Sequence, residues 1–489
     1  MIEHTPRPEP LSRKQCLING FWVDSLSGQT SSVRNPANGE PLGDVPEMQA
    51  RDVTSAIDAA AHAFVSWRRT LPGARARLLR TWFDLIQTNR QELARILTRE
   101  TGKPLVEALG EIDYSSSYVE WYSEEARRTY GDVLPRHQSD KRLFVLREPI
   151  GPVAAITSWN FPSALATRKV APALAAGCTV ILKPAGQTPY SALALGELAQ
   201  QAGFPPGVFN IVTGNSQVIG SALLNDSRIR KLTFTGSTET GKALMRICAD
   251  TVKRLSLELG GNAPFIVFKD ANIEEAVDGA MAAKFRNAGQ TCVCVNRFIV
   301  HTEVYDAFAR KLAARVADLK VGDGFQSGVD VGPLIDENAV CKVERHIADA
   351  VSLGARVTVG GRRHSNGRSF FTPTVLQDVT DKMLIAREET FGPVAPLFRF
   401  DNEQQAIELA NATEFGLAAY FYCNDVSRAW RVAEQIEAGI VGINTGLVST
   451  AVAPFGGIKE SGMGREGSRH GLDDYTSLKY ICLRIAEEQ

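Results

Sequence analysis

The chain predicts an α/β protein built on parallel sheet, and three observations carry that prediction. From Arg147 onward, short apolar runs (VAAIT, TVILK, FNIVT, KLTFT) alternate with helix-like segments such as 191–203, at the spacing of βαβ units. The pattern returns after Gly260, where FIVF, a helical 273–285, NRFIVH and a helical 304–319 make a second α/β unit. At roughly 100 to 200 residues per domain, 489 residues predict two to four domains, with room for a cleft between them.

Ahead of these units the chain reads as mainly helical. Apolar residues recur at helical period through 52–67, 74–89 and 91–101, and Gly102 and Pro104 end the last of these. The polar, turn-rich stretch 131–144, followed by the strand-like RLFVL, interrupts the first α/β region. It is expected to be an excursion onto a neighbouring subunit. There is no internal repeat and no low-complexity tract.

Charge excludes several function classes. With 54 basic and 55 acidic residues and a net charge of -1, the chain lacks the footprint of a nucleic-acid or polybasic membrane binder. The local cluster Arg68, Arg69, Arg75, Arg77 and Arg80 reads as the solvated face of a helix. Eight cysteines scattered through the chain are no disulfide scaffold and fit a reducing compartment. The start, MIEHTPRPEPLSRKQC, lacks the apolar core of a signal peptide, and the longest apolar stretch, 170–182, is too short to span a bilayer. A soluble, cytoplasmic protein is expected.

The decapeptide FRNAGQTCVC places Cys292 among small and polar neighbours directly after a helical segment. A cysteine that only fills a core has Leu, Ile or Phe around it more often; Asn287, Gly289, Gln290 and Thr291 leave room and hydrogen bonds near sulfur. An inert buried thiol and a nucleophile both fit this stretch. Glu258, in LSLELGG, is either the solvent-facing residue of an alternating strand or a desolvated carboxylate of raised pKa, suited to general-base work. Asn160, in SWNFP, is a turn residue or an amide donor aimed at a developing oxyanion.

Two glycine motifs compete as phosphate cradles. Gly462, Gly464 and Gly467 spell G-x-G-x-x-G, but no apolar strand precedes them and no helical run follows, so a glycine-rich loop is the better reading. The run from Gly236 through Gly241, Lys242 and Ala243 does follow a strand and open a helix, and it nearly matches an ATP-binding P-loop. Ala243 has no hydroxyl for magnesium, and Glu239 places negative charge where phosphates would pass. What survives is a glycine-bearing turn at a helix N-terminus, whose free N–H groups suit a pyrophosphate.

WNFP at Trp159, KPA at Lys183, FTGS at Phe234, LELGG at Leu257, GQTC at Gly289, EETFGP at Glu388 and PFGGIKESGMGRE at Pro454 occur in this order. Together they closely resemble the aldehyde dehydrogenase superfamily, from about Leu17 to Tyr480. The resemblance implies a three-part fold. A Rossmann-like cofactor domain would comprise 1–129 and 150–260, an α/β catalytic domain 261–460, and a small β oligomerisation bridge 130–149 with 461–489.

It also implies roles. Cys292 would attack the aldehyde carbon, the Asn160 amide and the Cys292 N–H would hold the oxyanion, and Glu258 would activate the water that hydrolyses the thioester. Lys183 would hold the adenosine ribose, Gly236 and Ser237 the pyrophosphate, Leu259 the nicotinamide end and Glu389 the nicotinamide ribose. Trp159 joins this cofactor-binding set. Many NAD-using members carry a glutamate where this chain has Gly186; without that carboxylate a 2′-phosphate has room beside Lys183, so NADP is expected, with some use of NAD.

For the substrate, Arg286, Arg168 and Ser468 match positions that bind the far carboxylate in succinate-semialdehyde dehydrogenases, and a guanidinium suits a carboxylate. Glutarate semialdehyde, one methylene longer, is the alternative. A structural ion-pair role fits either arginine equally. Cys294 is a candidate redox partner of Cys292. No metal, nucleic acid or membrane is expected, and members of the superfamily are dimers or tetramers. A P-loop-like nucleotide binder and a non-enzymatic scaffold are the alternatives from other classes.

Overall fold

The computed structural model describes residues 11–485. The first ten residues of the proline-rich start, and the outermost parts of 1–129 and 461–489, lie outside the described residues.

The runs VAAI, VILK, FNI, KLTFT and RLSLE form five neighbouring parallel strands. Across the sheet they lie as Phe209–Ile211, Val180–Lys183, Val153–Ile156, Lys231–Thr235 and Arg254–Glu258. In chain order that is 3-2-1-4-5, the doubly wound arrangement, with its switch point between Val153–Ile156 and Lys231–Thr235. These strands read as continuous apolar runs because both faces are covered. Val153 and Ala155 enter one hydrophobic core, and Ala154 and Ile156 enter the other.

The second unit has seven strands: Arg356–Val359, Thr374–Gln377, Val394–Phe400, Val295–His301, Ala263–Val267, Ala418–Tyr422 and Ile440–Ile443, side by side in that order. All but the first pair in parallel. Phe265 and Val267 face one core, and Ile266 the other. The strands beyond residue 320 are short apolar runs, which periodicity alone does not separate from buried helix.

The front of the chain departs from the expectation in two ways. Helices Ala50–Trp67, Pro72–Thr88 and Arg90–Thr101 fall close to the predicted spans. However, Cys16–Ile18 and Phe21–Val23 extend the first sheet, and Thr30–Arg34 pairs with Pro41–Pro46. A fourth helix, Leu105–Glu125, follows at once. Gly102 does end the third helix, with φ +76°, and a Cβ there would come within 2.4 Å of Pro333. Pro104 does not stop structure: it is the N-cap of the fourth helix, where its fixed φ suits a start.

Residues 131–149 form Asp132–Leu134 and Lys141–Pro149, which with Thr476–Arg484 make a three-stranded antiparallel sheet. The expected bridge segment from 461 differs. Gly462–Met463 pairs with the edge strand Arg254–Glu258, and 469–475 forms a 3-10 helix, so only residues from Thr476 join the three-stranded sheet. No helix among the described residues is long and apolar enough to cross a membrane.

The chain passes from the first main sheet to the second directly after the strand Arg254–Glu258. Strand Arg254–Glu258 ends, residues 259–262 cross over, and Ala263–Val267 begins. The carboxyl edge of the first sheet therefore opposes the amino edge of the second, where Val295–His301 starts just after Cys292 and Cys294.

Candidate active site

The carboxyl edge of a doubly wound sheet is where such folds bind ligands. Trp159 and Asn160 follow Val153–Ile156, Lys183 ends its strand, Gly236 and Ser237 follow Lys231–Thr235, and Glu258 ends the edge strand. The register aligns Ile156 with Lys183 and Thr235 with Glu258. Four motifs far apart in sequence thus share one edge.

Opposite them stands the loop carrying Cys292. Asn287, Ala288 and Gly289 are all left-handed (φ 52°, 54° and 74°), which costs an L-residue about 1 kcal/mol or more. The polar residues that seemed to serve the sulfur instead hold this backbone. The Asn287 N–H donates to both Glu107 carboxylate oxygens at 3.0 and 3.1 Å, and its side-chain amide donates to the carbonyls of Asn160 and Gln290. The Gln290 amide donates to the Asn287 carbonyl at 3.1 Å and accepts from Ile335 N–H at 2.9 Å. Gly289 is required because a Cβ would lie 2.2 Å from the Gly392 carbonyl.

Cys292 is half-buried and unbridged. Burial pushes its thiol up to about 12, opposed by Arg168 and Arg286 and reinforced by Glu258 and Glu389. A thiol so shifted gives up its proton less readily than a free cysteine. Glu258 is buried, not a solvent-facing strand residue, and its Oε2 has no hydrogen-bond partner among the described residues. Burial and the charge of Glu466 raise its pKa well above the carboxylate range. A loop approaches it closely: a Cβ on Gly456 would lie 3.0 Å from Glu258 Oε1.

Asn160 is buried, and one of its amide N–H groups donates to the Gln290 carbonyl at 3.0 Å. Its Oδ1 accepts from the Ser158 hydroxyl at 2.7 Å. An amide has two N–H groups, so one remains for a ligand.

The residues expected to bind the cofactor lie at this edge, except Glu389, which faces it from the second unit. Lys183 Nζ donates to Ser216 Oγ at 2.7 Å, and burial lowers its pKa to about 8. Ser216, missed in the sequence, opens helix Ser216–Asn225 behind the Asn215 cap; the signal was an Asn-Ser pair just after the strand FNI. A Cβ on Gly186 would meet nothing within 4 Å. Gly236 packs on the Phe234 ring, where a Cβ would lie 2.4 Å away, and Ser237 caps helix Thr238–Ala249. Lys242 pairs with Glu460 at 2.6 Å, which occupies the lysine that the P-loop reading requires. The G-x-G-x-x-G run leads into a 3-10 helix, not an α-helix. Leu259 is buried against Gly241. Glu389 accepts from the Gly261 N–H at 3.2 Å, with burial raising its pKa to about 7. The Trp159 ring stands edge-on to Phe391 at 5.6 Å.

The three residues expected around a substrate carboxylate separate. Arg168 is buried in an ion pair with Glu466, its Nε donating to Oε2 at 2.6 Å, and it stacks on Phe455 at 4.2 Å. Ser468 has φ +49°, and its hydroxyl accepts from the His470 N–H at 3.1 Å as a helix cap. It borders a concavity of about 700 Å³ lined by Trp121, Arg147 and Arg469, whose lining does not include Cys292. Arg286 differs. Its guanidinium lies over the Phe161 ring at 5.4 Å and meets no carboxylate within 4.0 Å among the described residues. Cys294 is buried, and its thiol donates to the Lys284 carbonyl at 3.3 Å. Among the described residues no group of His, Cys, Asp and Glu is placed to hold a metal ion.

A doubly wound sheet thus faces a strained cysteine loop, with a buried amide bonded to that loop and a buried carboxylate at the same sheet edge. The chain belongs to the aldehyde dehydrogenase family, whose profile matches residues 22–481. It is 58% identical to the NADP(+) succinate-semialdehyde dehydrogenase GabD of Escherichia coli, over 97% of this chain and 98% of that protein. It is also 58% identical to the glutarate-semialdehyde dehydrogenase of Pseudomonas aeruginosa, over 97% and 98% of the two chains. A solved succinate-semialdehyde dehydrogenase from Burkholderia pseudomallei superposes with a TM-score of 0.97 at 56% identity, covering 98% of this chain and 99% of the other.

Proposed function

We propose that the protein oxidises succinate semialdehyde to succinate, with NADP preferred over NAD. The observation that carries this reading is Arg286, a guanidinium close enough to oppose the upward shift of the Cys292 thiol and with no carboxylate within 4.0 Å among the described residues, the nearby Glu107 being engaged by the Asn287 N–H. A substrate whose far end is a carboxylate completes it. Arg168 already holds Glu466, so its part is to shape the site's field, and Ser468 is kept for the loop. Glutarate semialdehyde is the second reading, since the Pseudomonas aeruginosa relative is named for it and one methylene changes discrimination by only about 1 to 3 kcal/mol.

Cys292 gives its proton to solvent water and its sulfur attacks the aldehyde carbon, giving a thiohemiacetal whose oxyanion meets the remaining Asn160 N–H and the Cys292 N–H. Lys183, Ser216, Gly236, Ser237 and Glu389 fit the cofactor, and the open space at Gly186 beside Lys183 fits a 2′-phosphate. When bound, NADP would supply the acceptor for the hydride that leaves the former aldehyde carbon as the thiohemiacetal becomes a thioester. Glu258, once ionised, takes a proton from the water that hydrolyses the thioester.

Residues 130–149 and the final strand present Val133, Leu478, Tyr480 and Leu483 at 78%, 66%, 57% and 50% exposure, which supports a homodimer or tetramer joined there. A cytoplasmic location agrees with eight unpaired cysteines. Steady-state kcat/KM for succinate and glutarate semialdehydes with NADP and NAD, beside a Cys292→Ser control, tests the whole reading. An uncharged aldehyde preferred to both would overturn it.

A further inference from the structure

We infer that Lys103 is a positioning residue for the oxyanion amide, a buried ammonium that fixes Asn160 and the shelf beneath Arg286 in one cluster.

Lys103 sits between two helices, at the turn set by left-handed Gly102 and by Pro104, and its side chain is 1% exposed. An ammonium has three donors, and two of those of Lys103 are hydrogen-bonded. One N–H goes to Glu111 Oε2 at 2.6 Å and one to the Asn160 carbonyl at 2.8 Å. The Nζ also stands 4.1 Å above the Phe161 ring. Arg286 lies over that same ring at 5.4 Å, so Phe161 links the two cations.

The partners extend the cluster on both sides. Glu111 Oε1 accepts from Ser163 N–H at 3.0 Å and Ala164 N–H at 3.3 Å, tying it to the start of helix Pro162–Ala176. The Asn160 carbonyl takes a second bond from the Asn287 side chain at 3.0 Å, which fills both its lone pairs. Asn160 is therefore held from the front of the chain by Lys103 and from the cysteine loop by Asn287. With the backbone fixed and Oδ1 held by Ser158, the orientation of the free amide N–H is determined. An oxyanion donor acts only if it is already aimed where charge develops, so a loosened Asn160 loses rate without losing affinity.

This inference rests on the proposed oxyanion role of Asn160, and the experiment separates the two. Asn160→Ala, Lys103→Met and the double variant are compared by the rate of the first NADPH burst with succinate semialdehyde. Removing an oxyanion donor slows such a step about 10²- to 10³-fold. Lys103→Met is expected to slow the burst about tenfold or more, leave KM for NADP within about twofold, and add less than about twofold in the Asn160→Ala background. A folded Lys103→Met protein with a wild-type burst, or one whose loss multiplies with that of Asn160→Ala, overturns the Lys103 proposal alone. A wild-type burst in Asn160→Ala overturns the oxyanion reading itself. If Lys103→Met does not fold because Glu111 is left charged and unpaired, Lys103→Met/Glu111→Met carries the same test.

Discussion

Arg168 and Glu466 are joined in a buried ion pair, Nε to Oε2 at 2.6 Å, and Lys169 bonds the other oxygen of the same carboxylate. The two cations hold Glu466 down at about 2, while its charge helps raise Glu258. Two carboxylates near one another are thus driven in opposite directions by their partners.

Glu466→Gln is expected to destabilise the protein by about 3 to 5 kcal/mol, because it leaves buried cations uncompensated. The folded pKa of Glu466 lies below its unfolded value, so its stabilisation is full above about 4.5 and is lost as pH falls towards about 2. The variant should show this loss already at neutral pH in denaturant titrations. In the same variant Glu258 loses a repelling neighbour and its pKa falls. The ascending limb of the kcat–pH profile should therefore move to lower pH, and an unmoved limb would exclude the coupling.

Wild-type activity should rise with pH through the neutral and alkaline range. Burial raises the Cys292 thiol to about 12 and Glu258 well above the usual carboxylate range, and both must ionise to act. Alkylation of Cys292 by iodoacetamide, followed against pH without substrate, reports the thiol alone. A rate already flat at pH 6 would show a resting thiolate.

Glu258→Gln should form the thioester but fail to hydrolyse it. The expected record is a burst of about one NADPH per subunit followed by turnover slowed about 10²- to 10⁴-fold. Steady turnover near wild type would remove Glu258 from the general-base role.

Arg286→Ala should raise KM for succinate semialdehyde by about thirtyfold, from a lost charged hydrogen bond of about 2 kcal/mol, and much less for butanal. Equal effects on the two aldehydes would end its carboxylate role. Arg168→Ala should instead lower Tm, since it breaks the pair with Glu466.

Gly186→Glu places a carboxylate in open space beside Lys183 and should reduce kcat/KM for NADP at least tenfold while sparing NAD. Unchanged preference would mean that the 2′-phosphate lies elsewhere. For Cys294, peroxide inactivation should reverse with dithiothreitol in wild type and not in Cys294→Ala. Its buried thiol bonds the Lys284 carbonyl, so oxidation of Cys292 must first draw it away.

The α/β class, the two parallel units and the order of motifs were legible in the sequence, because continuous apolar strands and helical period are local properties. It also singled out Cys292, Glu258 and Asn160 as residue types in unusual company, and Lys183 through the resemblance of its motif. Only the tertiary structure decided what their neighbours do. Asn287 and Gln290 looked like partners of sulfur, yet they bind backbone, because three left-handed residues in a row need hydrogen bonds from across the fold. Arg168 and Arg286 were equivalent as letters. Arg168 meets Glu466, 298 residues away, while Arg286 lies over Phe161 and meets no carboxylate within 4.0 Å among the described residues. Lys103 and Glu111 carried no signal of a site, since a charged residue at a helix boundary or within a helix reads as surface until the packing that buries it is known.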